Sequence, residues 1–158
     1  NTMNNKVKER NINFVIDKTP PTVVITGIEE SSYRADSRDM SVNVSDNTAV
    51  KRLDIMVDGK SVATYSQEDV KEAGGKIVYT LNSSNSKQKV KAVAVDMADN
   101  EANSDNHNIL ITTNLFIQYI NNKPLFIGSI IALVLIAGGV IYFFVFRRKK
   151  SEDAADAN

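Results

Sequence analysis

Residues 53–65 read LDIMVDGKSVATY, and their alternation decides the fold class. Leu53, Ile55 and Val57 take every second position against Asp54 and Met56, the two-residue period of a strand with one buried face. Asp58-Gly59 then interrupts the run with a pair suited to a type I′ turn, whose two central residues both need positive φ. Ser61 to Tyr65 returns, so the segment predicts a β-hairpin. The same period recurs outward in short pieces. Thr22 to Thr26 (TVVIT) follows Pro20-Pro21, which lack the N–H of a central strand and suit a strand start or an edge. Met40 to Ser45 sets Val42 and Val44 against Ser41, Asn43 and Ser45. Gln67 to Ala73 predicts one short helical turn, ended by Gly74-Gly75. Lys76 to Leu81 then puts Ile77, Tyr79 and Leu81 on one face, and NSSNSK reads as a loop. Gln88 to Asp96 points Val90, Ala92 and Ala94 inward and Lys89 and Lys91 outward, and a last strand falls at about Asn108 to Thr113. About seven short strands with turn residues between them predict an all-β, immunoglobulin-like antiparallel sandwich.

Composition narrows the chemistry this sandwich can carry. The 158 residues include no Cys, no Trp and one His, which excludes disulfides, Cys-ligated zinc, iron–sulfur clusters and a thiol nucleophile. Net charge is zero, and residues 1–124 hold 15 basic and 16 acidic side chains, so no electrostatic footprint for nucleic acid is present. His107, in NSDNHN, reads as a solvated loop residue with no Gly-x-Ser-x-Gly nucleophile elbow to serve. There is no Gly-rich phosphate loop, and the acids sit in turns or outward on strands. The chain reads as a non-enzyme. Asn43-Val44-Ser45 and Asn82-Ser83-Ser84 match the glycosylation pattern by chance and are given no role.

One composition shift is abrupt. Leu125 to Phe146, LFIGSIIALVLIAGGVIYFFVF, is 22 residues without a charge. As a helix it would be about 33 Å long, enough for a hydrocarbon core of about 30 Å. It reads as a single transmembrane helix, with Gly128-x-x-x-Ala132 and Gly138-Gly139 open either to close helix packing or to ordinary membrane-helix usage. Arg147, Arg148, Lys149 and Lys150 follow at once and, by the positive-inside rule, mark the cytoplasmic side. The N-terminal part is then extracellular. The opening NTMNNKVKER is no signal peptide, so the sequence reads as the C-terminal piece of a longer protein. Residues 114–124 link sandwich to span, and Leu115, Phe116, Ile117, Tyr119 and Ile120 suit the membrane interface. The tail after the basic cluster, SEDAADAN, is read as too short and polar to fold. INNKP (residues 120–124) stands where a sortase substrate would carry LPxTG, so the helix is expected to remain intact.

Three stretches, FVIDKTPPTVVITG (residues 14–27), SDNTAVKRLDIMVDGK (45–60) and AVDMADN (94–100), together resemble the tandem immunoglobulin-like repeats of Gram-positive bacterial cell-surface proteins. In that family an F-x-I-D-x-T-x-P junction opens each repeat and an A-x-D-x-A-G-N turn closes the strand before last. The resemblance covers about residues 14–113 and departs at Asp99, where the family usually has Gly. Asp and Asn tolerate a left-handed backbone, so side-chain hydrogen bonds are expected to hold that turn. INFVI (residues 12–16) mirrors NILIT (108–112), each after a polar stretch that begins at Asn1-Thr2 and Asn100-Glu101 respectively. The expected organisation is therefore the end of a preceding repeat at 1–16, a repeat at 17–113, a juxtamembrane linker at 114–124, the membrane helix at 125–146 and a cytoplasmic tail at 147–158.

The candidate site is acidic. In an immunoglobulin topology the approach to the first strand and the loops after the second and sixth gather at one end, which would bring together Asp17, Asp46, Asn47, Asp96, Asp99 and Asn100. Asp17, Asp46, Asp96 and Asp99 would suit Ca²⁺, with a geometry resembling a cadherin-type junction. Equally, Asp46-Asn47 and Asp99-Asn100 suit ordinary turns, with Asp96 accepting backbone hydrogen bonds and no cofactor involved. Together these readings make the chain a membrane-proximal stalk and C-terminal anchor in a bacterial cell membrane. Its partners would be the lipid bilayer and neighbouring repeats, with nucleic acid excluded and any extracellular ligand unspecified. A ligand-binding adhesin repeat, and the tether of an upstream extracellular enzyme, are the alternatives.

Overall fold

The computed structural model describes residues 17–29 and 31–155, so the stretch read as the end of a preceding repeat, 1–16, lies outside the described residues. In chain order the elements are β1 (Thr22–Thr26), β2 (Ser32–Tyr33), β3 (Ser37–Ser45), β4 (Val50–Val57), β5 (Lys60–Ser66), α1 (Gln67–Glu72), β6 (Lys76–Asn82), β7 (Gln88–Asp96), β8 (Glu101–Asn103), β9 (His107–Ile111), α2 (Leu115–Asn121) and α3 (Lys123–Ala155). They divide into two compact units, one of residues 17–29, 39–79 and 89–108, the other of 31–38, 80–88 and 109–155.

The first unit is a mostly β, sandwich-like pair of sheets with one short helix, α1. β1 runs antiparallel to β3, with Val23 opposite Val44 and Ile25 opposite Val42, and β6 flanks the other side of β3. In the facing sheet β4 lies between β5 and β7, and β8 pairs with β7 over Val93 to Val95. Leu53 stands opposite Ala94 and Ile55 opposite Ala92 across β4 and β7, and all four are fully buried. A large side chain thus meets a small one twice, the way close-packed layers interdigitate. Met40, Val42, Val44 and Ile77 bury the inner positions of β3 and β6. Tyr79, expected on the same face, is only half-buried.

Local signals account for the connections. Asp58 and Gly59 have φ of 50° and 79°, the pair of positive values that the β4–β5 turn demands. Lys89 and Asp58 then exchange hydrogen bonds, Asp58 N–H to Lys89 O at 2.9 Å and Lys89 N–H to Asp58 Oδ1 at 2.8 Å, which tie the turn to the start of β7. α1 opens with a capping box: Ser66 Oγ accepts the Asp69 N–H while Asp69 Oδ2 accepts the Ser66 N–H at 2.7 Å. Val70 is the residue α1 buries. After it Gly75 takes φ +77°, and a Cβ there would lie 2.6 Å from the Val44 carbonyl, whose own N–H reaches Gly75 O at 2.8 Å. Only glycine fits both demands.

The second unit departs from a purely antiparallel expectation. β2 pairs with β9 in parallel, Ser32 opposite Leu110 and Tyr33 opposite Ile111. Ser83 and Ser84, in the predicted loop, donate their N–H groups to Asp36 O and Ile111 O, each at 2.7 Å. Residues 114–124, expected as a linker, contain α2: Asn114 caps it by accepting the Phe116 and Ile117 N–H groups, and Gln118 Nε2 donates to Thr112 O at 2.8 Å. The span's helix, α3, starts at Lys123 and continues past Phe146 through the basic cluster to Ala155. The tail expected not to fold is therefore mostly helical, because extending an established helix adds a hydrogen bond per residue without the cost of nucleation.

Ile55→Ala is expected to cost about 2 to 5 kcal/mol in urea unfolding of the folded domain, through lost burial and the cavity left against Ala92. Lys91→Ala, on the opposite parity, is expected to cost under about 0.5 kcal/mol. Equal effects would mean that the β4–β7 register is wrong by one residue.

Candidate functional site

Three of the four carboxylates read from the sequence come together, and all lie in the first unit. Asp17 sits on the approach to β1, Asp46 directly after β3 and Asp96 at the last position of β7, with one oxygen from each inside a 4.8 Å group. Sheet topology causes the meeting, since the ends of β3 and β7 lie at the same level as the start of β4: Val50 pairs with Asp96. Asp99 stands outside the group. Its carboxylate binds Lys51 Nζ at 2.5 Å on the surface. The register shifts between Val50 and Arg52, so Lys51 is the extra residue of a β-bulge, the device that re-aims a side chain.

The donors around the three carboxylates come from their own loops. Asp96 is fully buried, and its Oδ1 accepts the Ala98 and Asn100 N–H groups at 2.8 Å each. Asn100 Nδ2 donates to Asp96 Oδ2 at 2.7 Å and to Asp17 O at 3.2 Å, bridging two loops. Asp99, at φ 64°, takes the left-handed position where the family resemblance expects Gly. The turn is held by Asp96 and Asn100, with Asp99 turned outward to Lys51. Asp46 Oδ2 accepts the Thr48 and Ala49 N–H groups at 2.9 and 3.1 Å.

Thr48 is the participant that the sequence reading missed. Its Oγ1 is hydrogen-bonded to Asp17 Oδ2 and lies 2.8 Å from Asp46 Oδ2, one hydroxyl proton between two carboxylates. The signal for it was the D-N-T spacing at 46–48, an Asx-turn pattern whose third residue faces back on the first. The Thr48 hydroxyl, with the Thr19 N–H second, holds the Asp17 carboxyl below its ordinary 3.8. The Lys51 ammonium does the same for Asp99, first as a hydrogen-bond donor and then as a charge. Asp46 Oδ1 is buried with no partner among the described residues. Asp46 and Thr48 also line an open recess of about 400 Å³, so the loop is reachable from solvent.

No protein-family model matches the chain. No curated protein matches it either. Among solved structures it is similar to the fibronectin(III)-like modules of Clostridium thermocellum CbhA, with a TM-score of 0.47 and 20% identity over 61% of this chain and 49% of that one. The chain thus spans about half the length of that structure.

Other residues weighed in the sequence fall elsewhere. His107 is the first residue of β9 and half-buried, not a solvated loop residue. Asn43 is an interior residue of β3 whose Nδ2 reaches Thr26 Oγ1 across the β1–β3 pair at 3.5 Å. Arg147 lies over the Phe143 ring at 5.4 Å. The side chains of Lys149 and Lys150 are outside the described residues.

Acid stability tests the Thr48 arrangement. A carboxylate whose folded pKa is depressed contributes stability that is complete above its unfolded value and is lost as pH falls through the lower folded value. For Asp17 the loss therefore begins near pH 3.8 and proceeds downward. Thr48→Val removes the donor and is expected to flatten the melting-temperature curve in that window while leaving the curve above about pH 5 parallel to wild type. An unchanged acid limb would show that Thr48 does not govern the Asp17 carboxyl.

Proposed function

We propose that this chain is the membrane-proximal spacer and C-terminal anchor of a larger bacterial cell-surface protein, with the β domain outside and the basic cluster inside. The observation that carries the reading is α3: from Lys123 to Arg148 it is long and apolar enough to cross a membrane, and none of its apolar window is buried by the rest of the chain. Leu135 and Phe146 are 70% and 59% exposed, as are their neighbours all round the helix. Such a surface has no stable place in water, whereas a bilayer satisfies it. The four cations after Phe146 oppose translocation and set the orientation. A rigid sandwich with no nucleophile–base pair among its described residues fits a spacer better than a catalyst, and any activity or ligand would then belong to the rest of the protein.

The protein is expected to sediment with membranes, to resist an alkaline carbonate wash and to need detergent for release. Release by cell-wall digestion alone would refute the anchor. Replacing Arg147 to Lys150 with neutral residues is expected to mix the two orientations, scored by protease accessibility of the β domain.

A specific observation favours a second reading, in which Ca²⁺ stiffens the joint with a preceding repeat. Asp46 Oδ1 is buried with no partner among the described residues and lies beside two other carboxylates, a set that a hard dication would suit. If the site binds Ca²⁺, a hundredfold excess over Kd stabilises the fold by about 2.7 kcal/mol. The expected result, measured on the chain extended upstream through its preceding repeat, is a higher melting temperature in millimolar Ca²⁺ than in EDTA, with the gain abolished in Asp96→Asn. Identical melting in both would leave Asp17, Asp46 and Asp96 as loop-fixing residues.

A further inference from the structure

The second unit contains a recess of about 480 Å³ whose charged lining residues are both cations, Lys87 from the loop after β6 and Lys123 at the start of α3. Gln118, Asn121 and Asn122 line it from the end of α2, and Ser32 from β2. Among the described residues neither lysine has an ion-pair partner and no acid lines the recess. Its position is fixed by the chain: Lys123 and Pro124, which both line it, immediately precede Leu125, where the uncharged span begins. A cationic, amide-lined hollow at the edge of a membrane-crossing helix faces one abundant class of anion, the phosphate esters of lipid head groups.

The division of α2 into two faces adds to this. Leu115, Phe116 and Ile120 are exposed on an arc shared with Tyr119, while Gln118 and Asn121 occupy the opposite side and line the recess. α2 is fixed against α3 by an edge-to-face contact of Tyr119 with Phe126 at 5.6 Å and by a hydrogen bond between the Tyr119 and Ser129 hydroxyls. The apolar arc therefore belongs to the same rigid corner as the recess, and its exposed side chains suit the acyl boundary beside a bound head group.

We infer that this recess is a head-group site for an anionic phospholipid, with Lys87 and Lys123 taking the phosphate and the exposed face of α2 lying against the acyl chains. The inference rests on the anchoring reading above, and its test separates the two. Full-length protein is reconstituted with vesicles of phosphatidylcholine alone and of phosphatidylcholine doped with phosphatidylglycerol. Flotation measures anchoring, and native mass spectrometry counts phosphatidylglycerol retained per chain. Wild type is expected to float with both and to retain a single phosphatidylglycerol. Lys87→Gln with Lys123→Gln is expected to float equally but to lower that affinity about thirtyfold, some fivefold per lysine. Lys87→Arg with Lys123→Arg is expected to restore it. The exposed lysines of the first unit provide a control for general surface charge, and Lys60→Gln with Lys76→Gln is expected to change nothing. Flotation without retention, equal retention in the Lys87/Lys123 variant, or equal loss in the control overturns the inference alone. Displacement of the lipid by millimolar inorganic phosphate overturns the lipid as the ligand, and failure to float in phosphatidylcholine overturns the anchor and the inference with it.

Discussion

The β4–β7 ladder is the contact from which the rest of the first unit hangs. It opposes Leu53 to Ala94 and Ile55 to Ala92, and none of the four is accessible to solvent. Without a disulfide in the chain, this interlocking has to supply what a covalent staple supplies in many extracellular domains. It also sets the positions of other features. Asp96 ends the ladder, Val50 opposite it begins β4, and the bulge between Val50 and Arg52 turns Lys51 toward Asp99. Asp58 closes the other end by binding the first residues of β7. A slip of one residue would invert the buried face and separate the acidic loops together.

Most of this ladder was legible in the sequence because alternation is strict where one face of a strand is buried. β1 and β7 match their expected bounds, and the Asp58-Gly59 turn has the backbone its two residues imply. Legibility ends where that physical cause is absent. β8 (Glu101–Asn103) is held by backbone pairing to β7 and carries no apolar pattern. β2 is two residues long and parallel, a pairing that no local signal encodes. β9, expected at about Asn108 to Thr113, lies at His107–Ile111, although Ile109, Leu110 and Ile111 are all buried and form a continuous apolar run, not an alternation. α2 escaped notice because its seven residues adjoin a longer apolar run, and what defines it is one Asn114 cap.

The acidic site divides along the same line. That Asp17, Asp46 and Asp96 approach one another follows from strand order and could be read. That Asp99 leaves them follows from a bulge, which depends on where the register shifts and has no signature in residue types. Their local donors also show why such residues recur in turns without an ion. Asp96 takes two N–H groups and an amide, and removal of that carboxylate would leave the Ala98 and Asn100 N–H groups without their acceptor. Of the oxygens of these three carboxylates, Asp46 Oδ1 alone is left without a donor among the described residues. The distinction between a loop-fixing carboxylate and a cation ligand therefore narrows to one oxygen, and it turns on whether that oxygen's desolvation is offset from outside the loop.

In the second unit the same question, how a polar group is satisfied next to an apolar surface, is answered at the start of the long helix. α3 leaves its leading N–H groups unpaired within the helix, as any helix does, and Asn122 accepts the N–H of Phe126 through its backbone and that of Leu125 through its side chain. Thr112, Asn114 and Gln118 extend this chain of hydrogen bonds backward to the end of β9. A linker of free polar residues would let the last strand and the span reorient independently. Here each polar side chain between Thr112 and Asn122 that caps or ties a helix removes one such freedom, and on the proposed spacer role that restraint is what would define a distance from the bilayer. Lys123 is the point where the two requirements meet, since it starts α3, lies outside the uncharged span and lines the recess together with Pro124 and the end of α2. On the proposed anchoring, a cation there would fix the level at which hydration ends, because its charge cannot follow Leu125 into hydrocarbon.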